Sequence, residues 1–268
     1  MRGIAFTFVY YLLSVIYVLI SLPFLIFPGR RPISAIIRSY TRAMNLNLHF
    51  IAGIRRDVRG KTNLPDGPFV IAAKHQSWGD GFLIYPEVRN LAFVTGDHLE
   101  KIPLVGGILR KLGAIIIDTC GGGEKKATSL RDGMEIARQE GRRVLIYPEG
   151  HLAPIGYHFR YKPGVWHMAK AMNVPVVPVA TNIGLFWRQQ ETKKTPGMAT
   201  IEFLPTIPSD LPKEDFLQRL TDTIEHATAE LVAEATGAPV KRATLIPDPP
   251  KGMEAKPTPE DLAAYGKP

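Results

Sequence analysis

A stretch of 25 residues without a charged side chain, from Gly3 to Phe27, dominates the amino terminus of this chain. About 20 apolar residues in a helix are enough to cross the hydrocarbon core of a bilayer. A secretory signal would have a shorter apolar core that ends at a small-residue cleavage site. Here the stretch runs instead into Pro23-Phe24-Leu25-Ile26-Phe27-Pro28. The amino terminus is therefore predicted to be a helical segment that seeks the membrane.

A second element follows, and it is amphipathic. Within residues 33–54, Ile33, Ile37 and Tyr40 fall near one helical face, whereas Arg38 and Arg42 lie on another. A hairpin of two helices in one leaflet and a true span both fit this pattern, and the interruption at Pro23 favours the hairpin. Arginines next to a membrane segment stay on the cytoplasmic side, which predicts that the domain that follows lies on the cytoplasmic face of the inner (cytoplasmic) membrane. The arginines concerned are Arg30, Arg31, Arg38, Arg42, Arg55 and Arg56.

Composition limits the partners and cofactors. The 268 residues carry 33 Lys and Arg against 25 Asp and Glu, so the net charge of +8 favours an anionic partner such as a phospholipid surface. The sequence has no zinc-ligand spacing and no RNA-binding aromatic signature, and nucleic acid is not a predicted partner. Cys120 is the single cysteine, which excludes a disulfide within the chain. The histidines are scattered, so no metal or redox cofactor is expected.

Short β-rich runs alternate with helical stretches after the amino-terminal region. Near-continuous apolar runs such as 114–117 and 174–179 are typical of strands that are buried on both faces of a sheet. The alternation predicts an α/β fold, with a mostly parallel sheet flanked by helices. We predict strands over 69–73, 91–95, 114–117, 143–147, 175–181 and 199–204, and helices over 79–85, 98–112, 124–140, 164–172 and 213–235.

The same patterns divide the chain into three parts. Residues 1–54 are predicted to form the membrane-associated helical hairpin or anchor, and residues 55–237 the α/β domain. In residues 238–268 apolar periodicity fades and Pro and Lys are frequent. This tail is predicted to be disordered or loosely draped on the surface.

A histidine and an aspartate five residues apart, His75 and Asp80, follow the apolar run 69–73. Five residues is not a spacing that stacks two side chains on one helical face. The two can meet if His75 ends a strand and Asp80 lies in the first turn of the next helix. A carboxylate on one imidazole nitrogen then leaves the other nitrogen free as a general base. The alternative is a loop histidine that merely bonds a capping aspartate.

Four sequence blocks in a fixed order set these two interpretations apart. With them the chain resembles the glycerolipid acyltransferase family, and within it the bacterial 1-acyl-sn-glycerol-3-phosphate acyltransferases. The resemblance covers residues 57–230. The blocks are Lys74-His75-Gln76-Ser77-Trp78-Gly79-Asp80, Gly113-Ala114-Ile115-Ile116-Ile117-Asp118, Tyr147-Pro148-Glu149-Gly150 with Tyr161-Lys162-Pro163-Gly164, and Val174-Pro175-Val176-Val177-Pro178-Val179.

The resemblance implies roles for several of these residues. His75 would take the proton of an acceptor hydroxyl, and Asp80 would stabilise the imidazolium. The oxygen would attack a fatty acyl thioester carried by coenzyme A or acyl carrier protein. Glu149 and Gly150 would bind the acceptor or shape the site, unless Glu149 is simply a turn glutamate paired with a lysine. Ser77 is not an expected nucleophile, because the Gly-x-Ser-x-Gly pattern is absent from the sequence.

Two arginines that family members use to grip the acceptor phosphate are missing here. Thr119 stands at the first of these positions and Leu152, after His151, at the second. Arg160 and Lys162, with His151, are predicted to supply the phosphate contact instead. Two alternatives stay open: a lysolipid acceptor without a phosphate monoester, such as a lyso-amino-acid lipid, or a non-catalytic membrane lipid-binding protein on the same fold.

Overall fold

The computed structural model describes residues 2–117, 123–188 and 191–249, with the backbone alone for 123–127. The strands within these ranges are β1 (Ile54–Arg59), β2 (Val70–Ala73), β3 (Leu91–Gly96), β4 (Ile115–Ile117), β5 (Arg143–Ile146), β6 (Tyr157–His158), β7 (Val176–Thr181), β8 (Gly197–Phe203) and β9 (Thr244–Leu245). The helices are α1 (Arg2–Ser21), α2 (Arg31–Asn47), α3 (Asp80–Ile84), α4 (Asp97–Glu100), α5 (Val105–Leu112), α6 (Gly123–Gln139), α7 (Gly164–Met172) and α8 (Lys213–Thr236).

Seven strands form the main sheet, in the order β1-β8-β7-β2-β5-β3-β4. Every neighbouring pair is parallel except β7 with β8. The α/β fold predicted from the sequence is therefore confirmed. β2 is flanked by β7 and β5, so all four of its residues are buried. In such a sheet, side chains that follow the carboxyl ends of the central strands gather at one edge.

Helices cover both faces of the sheet. Val70 and Ala72 of β2 point to the core formed with α6, α7 and α8, whereas Ile71 and Ala73 point to the core formed with α1 and α3. This division follows from the alternation of side chains along a strand. The second core contains Phe6 of α1, so the amino-terminal helix packs into the α/β domain rather than standing apart from it.

Helices α1 and α2 form an antiparallel hairpin. The hydroxyl of Ser14 pairs with that of Tyr40 at 2.8 Å, and Tyr17 pairs with Ser39 at 2.9 Å. Residues Arg2–Leu25 are long and apolar enough for a membrane span by length and composition. One flank of α1 is covered by protein, and its other flank exposes Ile4, Phe8, Tyr11, Leu12, Val15, Ile16, Leu19 and Ile20.

Three differences from the sequence-based prediction have physical causes. The predicted helix 98–112 is wrong in its middle, where it breaks into α4 and α5 around Pro103 and Leu104, whose φ is +67°. Strand β1 was not predicted, because an edge strand rich in arginine lacks apolar alternation. The short strands β6 and β9, which pair in parallel, were not predicted either, because two residues are too few to show a strand pattern. Residues 250–268 lie outside the described part of the chain.

Phe6 and Phe8 provide a matched test of how α1 is held. Phe6 is 1% exposed and lies edge-on to Trp187 at 5.0 Å, whereas Phe8 is 68% exposed. Phe6→Ala should lower the free energy of unfolding in detergent by roughly 3–5 kcal/mol, the usual cost of such a core cavity. Phe8→Ala should change it little. Equal losses in denaturant titrations of the two variants would contradict the packing of α1 described above.

Candidate active site

His75 and Asp80 meet at the carboxyl end of β2. The Nδ1 atom of His75 lies 2.8 Å from Oδ2 of Asp80, which is the first residue of α3. The same Oδ2 accepts the backbone N–H groups of Gln76 and Ser77 at 2.8 and 2.9 Å. These three contacts fix the carboxylate, so the histidine donates from Nδ1 and presents Nε2 as an acceptor. The geometry is that of a histidine base with its orienting carboxylate.

The turn that joins β2 to α3 is tightly packed. A Cβ atom on Gly79 would lie 2.6 Å from Ile183 and 2.7 Å from Trp187, so a glycine is required there. Ser77 is fully buried, and its hydroxyl accepts the backbone N–H of Gly79 at 3.1 Å. The Ser77 hydroxyl therefore has a structural role in the turn. This agrees with the expectation that Ser77 is not a nucleophile.

A cavity of about 750 Å³ opens beside His75. Its walls are mostly apolar, and Tyr10 of α1 contributes to them together with residues that follow β2, β3 and β5. The basic side chains that line this cavity are His75, His98, His151 and Lys162. The apolar wall includes Phe93, Val94, Leu99, Ile117, Leu130, Ile146 and Leu152.

Glu149 lies behind the cavity wall and is fully buried. Its Oε2 accepts the ammonium of Lys74 at 3.1 Å and the N–H of Phe159 at 2.9 Å, and its Oε1 accepts the N–H of His75 at 3.4 Å. Protein groups thus occupy both carboxylate oxygens. Glu149 holds the backbone of His75 in place and does not reach an acceptor in the cavity. The adjoining Gly150, at φ +72°, does line the cavity.

A buried ionic cluster, comprising Lys74, Glu149, Glu225 and Tyr161, supports the site. Lys74 donates to Glu225 at 2.8 Å as well as to Glu149, and Tyr161 donates to Glu225 at 2.8 Å. Burial raises the pKa of Glu149 to about 7, an effect that Lys74 opposes and Glu225 reinforces. Burial alone would lower the pKa of Lys74, but the two carboxylates outweigh it and raise that pKa. The cluster links β2, the turn after β5, and α8.

The residues proposed to replace the missing arginines are not equivalent. Lys162 and His151 line the cavity, whereas Arg160 is exposed and lies outside its lining. Lys162 forms an ion pair with Asp248 of the carboxyl-terminal segment. Burial lowers the pKa of His151, which makes it a neutral hydrogen-bonding group near neutral pH. Thr119 lies outside the described residues.

Sequence reasoning missed several residues that shape the site. Lys74 is named in the first block, but nothing in the sequence indicates its partner Glu225, which is 151 positions away. Tyr10 was assigned to the anchor alone. A weak signal existed for Tyr147, since it directly follows an apolar strand and precedes the Pro-Glu-Gly turn. Among the described residues there is no group of three or more His, Cys, Asp or Glu that could hold a metal ion.

The chain is similar to known acyltransferases. Residues 55–182 match the family model described as Acyltransferase. The chain is 28% identical over 224 residues to 1-acyl-sn-glycerol-3-phosphate acyltransferase of Pseudomonas aeruginosa, covering 84% of this chain and 86% of that protein. It is 26% identical over 197 residues to the human 1-acyl-sn-glycerol-3-phosphate acyltransferase alpha, covering 72% of this chain and 69% of that protein.

A solved structure shares the fold. The 1-acyl-sn-glycerophosphate acyltransferase PlsC from Thermotoga maritima superimposes with a TM-score of 0.71 at 22% identity, covering 87% of this chain and 98% of the other. The matched family domain includes both His75 and Asp80. The chain therefore contains a region, residues 55–182, that is similar to the acyltransferase family, within a fold that it shares with PlsC.

Proposed function

We propose that the protein transfers a fatty acyl group from an acyl thioester, carried by coenzyme A or acyl carrier protein, to the free hydroxyl of 1-acyl-sn-glycerol-3-phosphate. The product is phosphatidate. The observation that carries this proposal is the His75 ring, which Asp80 fixes through Nδ1 at 2.8 Å and which lines a largely apolar cavity. The names of the curated relatives support the choice of acceptor. The reaction requires the thioester as co-substrate and no metal or redox cofactor.

The proposed chemistry needs one base. Nε2 of His75 takes the proton of the acceptor hydroxyl while the oxygen attacks the thioester carbonyl carbon. The tetrahedral intermediate then collapses, the carbon–sulfur bond breaks, and the imidazolium returns the proton to the departing thiolate. Asp80 stabilises the imidazolium between these two steps. An acyl-enzyme on Ser77 is not part of the proposal, since that hydroxyl is buried in the turn.

The cavity offers separate surroundings for the two ends of a lysolipid. Its apolar wall, with Phe93, Val94 and Ile146, suits an acyl chain, because contact with such side chains removes apolar surface from water. Lys162 supplies positive charge for the phosphate, which must take the place of Asp248. His151 can add a hydrogen bond. The sequence predicted phosphate contacts from Arg160, Lys162 and His151. The present proposal keeps Lys162 and His151 and leaves out Arg160, which is exposed and lies outside the cavity lining.

We further propose that α1 lies in one leaflet of the cytoplasmic membrane, with the catalytic domain on the cytoplasmic face. Protein covers α1 along one flank from Phe6 to Ser21, so lipid can reach only the opposite, apolar flank. Arg31 and Arg42 are exposed and can meet anionic headgroups. Arg38 cannot, because its guanidinium donates to backbone carbonyls at the end of α3, among them that of Pro86 at 3.0 Å.

The catalytic pair gives the first functional prediction. His75→Ala should lower kcat by about a hundredfold to ten-thousandfold, which is what a positioned general base contributes. Asp80→Asn should cost roughly ten-thousandfold through the wrong tautomer. Release of free thiol from an acyl thioester measures both. His226→Ala, an exposed histidine of α8, is the matched control and should be fully active. A fully active His75→Ala protein would rule out the proposed mechanism, and an inactive wild type would favour the lipid-binding alternative.

The phosphate contact gives the second prediction. Lys162→Ala should raise KM for the lysophosphatidate acceptor roughly tenfold with little change for the thioester, as expected for loss of a charge-assisted contact. Arg160→Ala removes the same charge two residues away, outside the cavity, and should change this KM much less. If the two variants behave alike, Lys162 has no special role. A lysolipid without a phosphate monoester should then be the faster acceptor.

The exposed flank of α1 gives the third prediction. Phe8→Asp combined with Val15→Asp should release the protein from vesicles, since both side chains are more than half exposed and would lie among lipid chains. Ile136→Asp, on the exposed side of α6, is the control and should leave binding unchanged. Co-sedimentation with vesicles that contain anionic lipid measures the effect. Full binding by the double variant would show that lipid contacts another surface.

A further inference from the structure

The ring of Tyr147 lies flat against the ring of His75. Their centroids are 3.9 Å apart and their planes differ by 15°. The register of the sheet explains the contact, because Ala72 of β2 pairs with Ile146 of β5 and both chains emerge at the same edge. Asp80 meets the edge of the imidazole at Nδ1, while Tyr147 covers its face. The stack therefore covers one of the two faces of the His75 imidazole ring.

Tyr147 is suited to act as a ring and not as an acid or base. Burial raises the pKa of its phenol well above the ordinary value, and the nearby Asp80 carboxylate raises it further. The phenol therefore stays neutral across the working pH range. Its hydroxyl is buried and has no hydrogen-bond partner among the described residues. What Tyr147 offers His75 is the electron-rich face of an uncharged aromatic ring.

An aromatic face attracts a cation more strongly than it attracts a neutral ring. His75 becomes a cation only when it has taken the hydroxyl proton, so the attraction grows as the transition state forms. Interactions that strengthen in this way accelerate the chemical step without tightening substrate binding. We propose that Tyr147 is a positioning residue for the acyl transfer, and that its ring face stabilises the His75 imidazolium. This inference rests on the function proposed above.

The hydroxyl of Tyr147 has no part in this role. Oδ1 of Asp80 is also buried without a partner, so the two groups do not satisfy each other. Removing an unpartnered buried hydroxyl exposes no new polar group, and Tyr147→Phe should therefore not lower Tm. Tyr147→Phe should retain kcat within about threefold, because it keeps the ring.

The test varies the ring electronics at constant shape in the full-length protein. Phenylalanines with progressively more fluorine on the ring are placed at position 147, which weakens the negative face of the ring. We expect kcat to fall stepwise, by about threefold to thirtyfold over the series, with KM unchanged. The same series at Phe216, which is buried in α8 away from the cavity, is the control and should leave kcat unchanged.

The pH profile separates this role from simple damage. A weaker aromatic face disfavours the imidazolium, so the acidic limb of the kcat/KM profile should move to lower pH, by about half a unit to one unit. A merely structural defect would lower activity without moving this limb. Apart from position 147, the series leaves the titratable groups around His75 unchanged: Asp80 bonds to its ring, Glu149 accepts its backbone N–H, and Tyr10, His98, His151 and Lys162 line the same cavity.

The outcomes distinguish this inference from the proposed function. If fluorination changes neither kcat nor the acidic limb while His75→Ala is inactive, the role of Tyr147 is wrong and the general base stands. If His75→Ala is active, the proposed function itself fails. Tyr147→Leu, which removes the ring, should lose at least as much kcat as the most fluorinated variant. Recovery of activity in Tyr147→Phe but not in Tyr147→Leu supports the stacked ring.

Discussion

A single buried ammonium holds the catalytic end of the sheet together. Lys74 ends the central strand, and its Nζ reaches Glu149 in the turn after β5 and Glu225 in α8. A buried ammonium without partners would be strongly unfavourable. The bonds from Lys74 to the two carboxylates therefore hold β2, the turn after β5 and α8 together. Glu149 in turn accepts the backbone N–H of His75. The buried ionic cluster therefore fixes the position of His75 at the edge of the cavity.

The two faces of the site have different physical tasks. Behind His75 the groups are buried and bonded to one another across β2, the turn after β5 and α8, which restricts their movement. In front of it the cavity is largely apolar, and polar groups such as His75 and Lys162 line the space that a substrate would enter. If His75 acts as the proposed base, its fixed position favours proton transfer, because little rearrangement is needed when charge develops. The stacked Tyr147 ring belongs to the front side and is uncharged.

Patterns within short segments predicted the strands of the central sheet and the pairing of His75 with Asp80, because both depend on neighbouring residues. Contacts between distant segments were not predictable. The partnership of Lys74 with Glu225 spans 151 positions, and no local pattern marks it. Glu149 was expected to bind the acceptor, to shape the site, or to be a turn glutamate paired with a lysine. Its burial beside Lys74 depends on how α8 and the turn at Phe159 pack, which no local pattern reveals. Strand β1 was missed because arginines on an edge strand hide its alternation.

The side chains of helix α1 face three different environments. Phe6 belongs to the protein core, Tyr10 to the wall of the reaction cavity, and Phe8 to the outer flank. Helix α1 therefore cannot be exchanged freely. An unrelated apolar helix in its place would restore attachment to the membrane but would leave a gap in the cavity wall beside His75. Along the outer flank any apolar residue serves equally well. Sequence variation in α1 should thus be confined to the residues of its exposed flank. The residues that face the core and the cavity should vary only together with their contacts in the α/β domain.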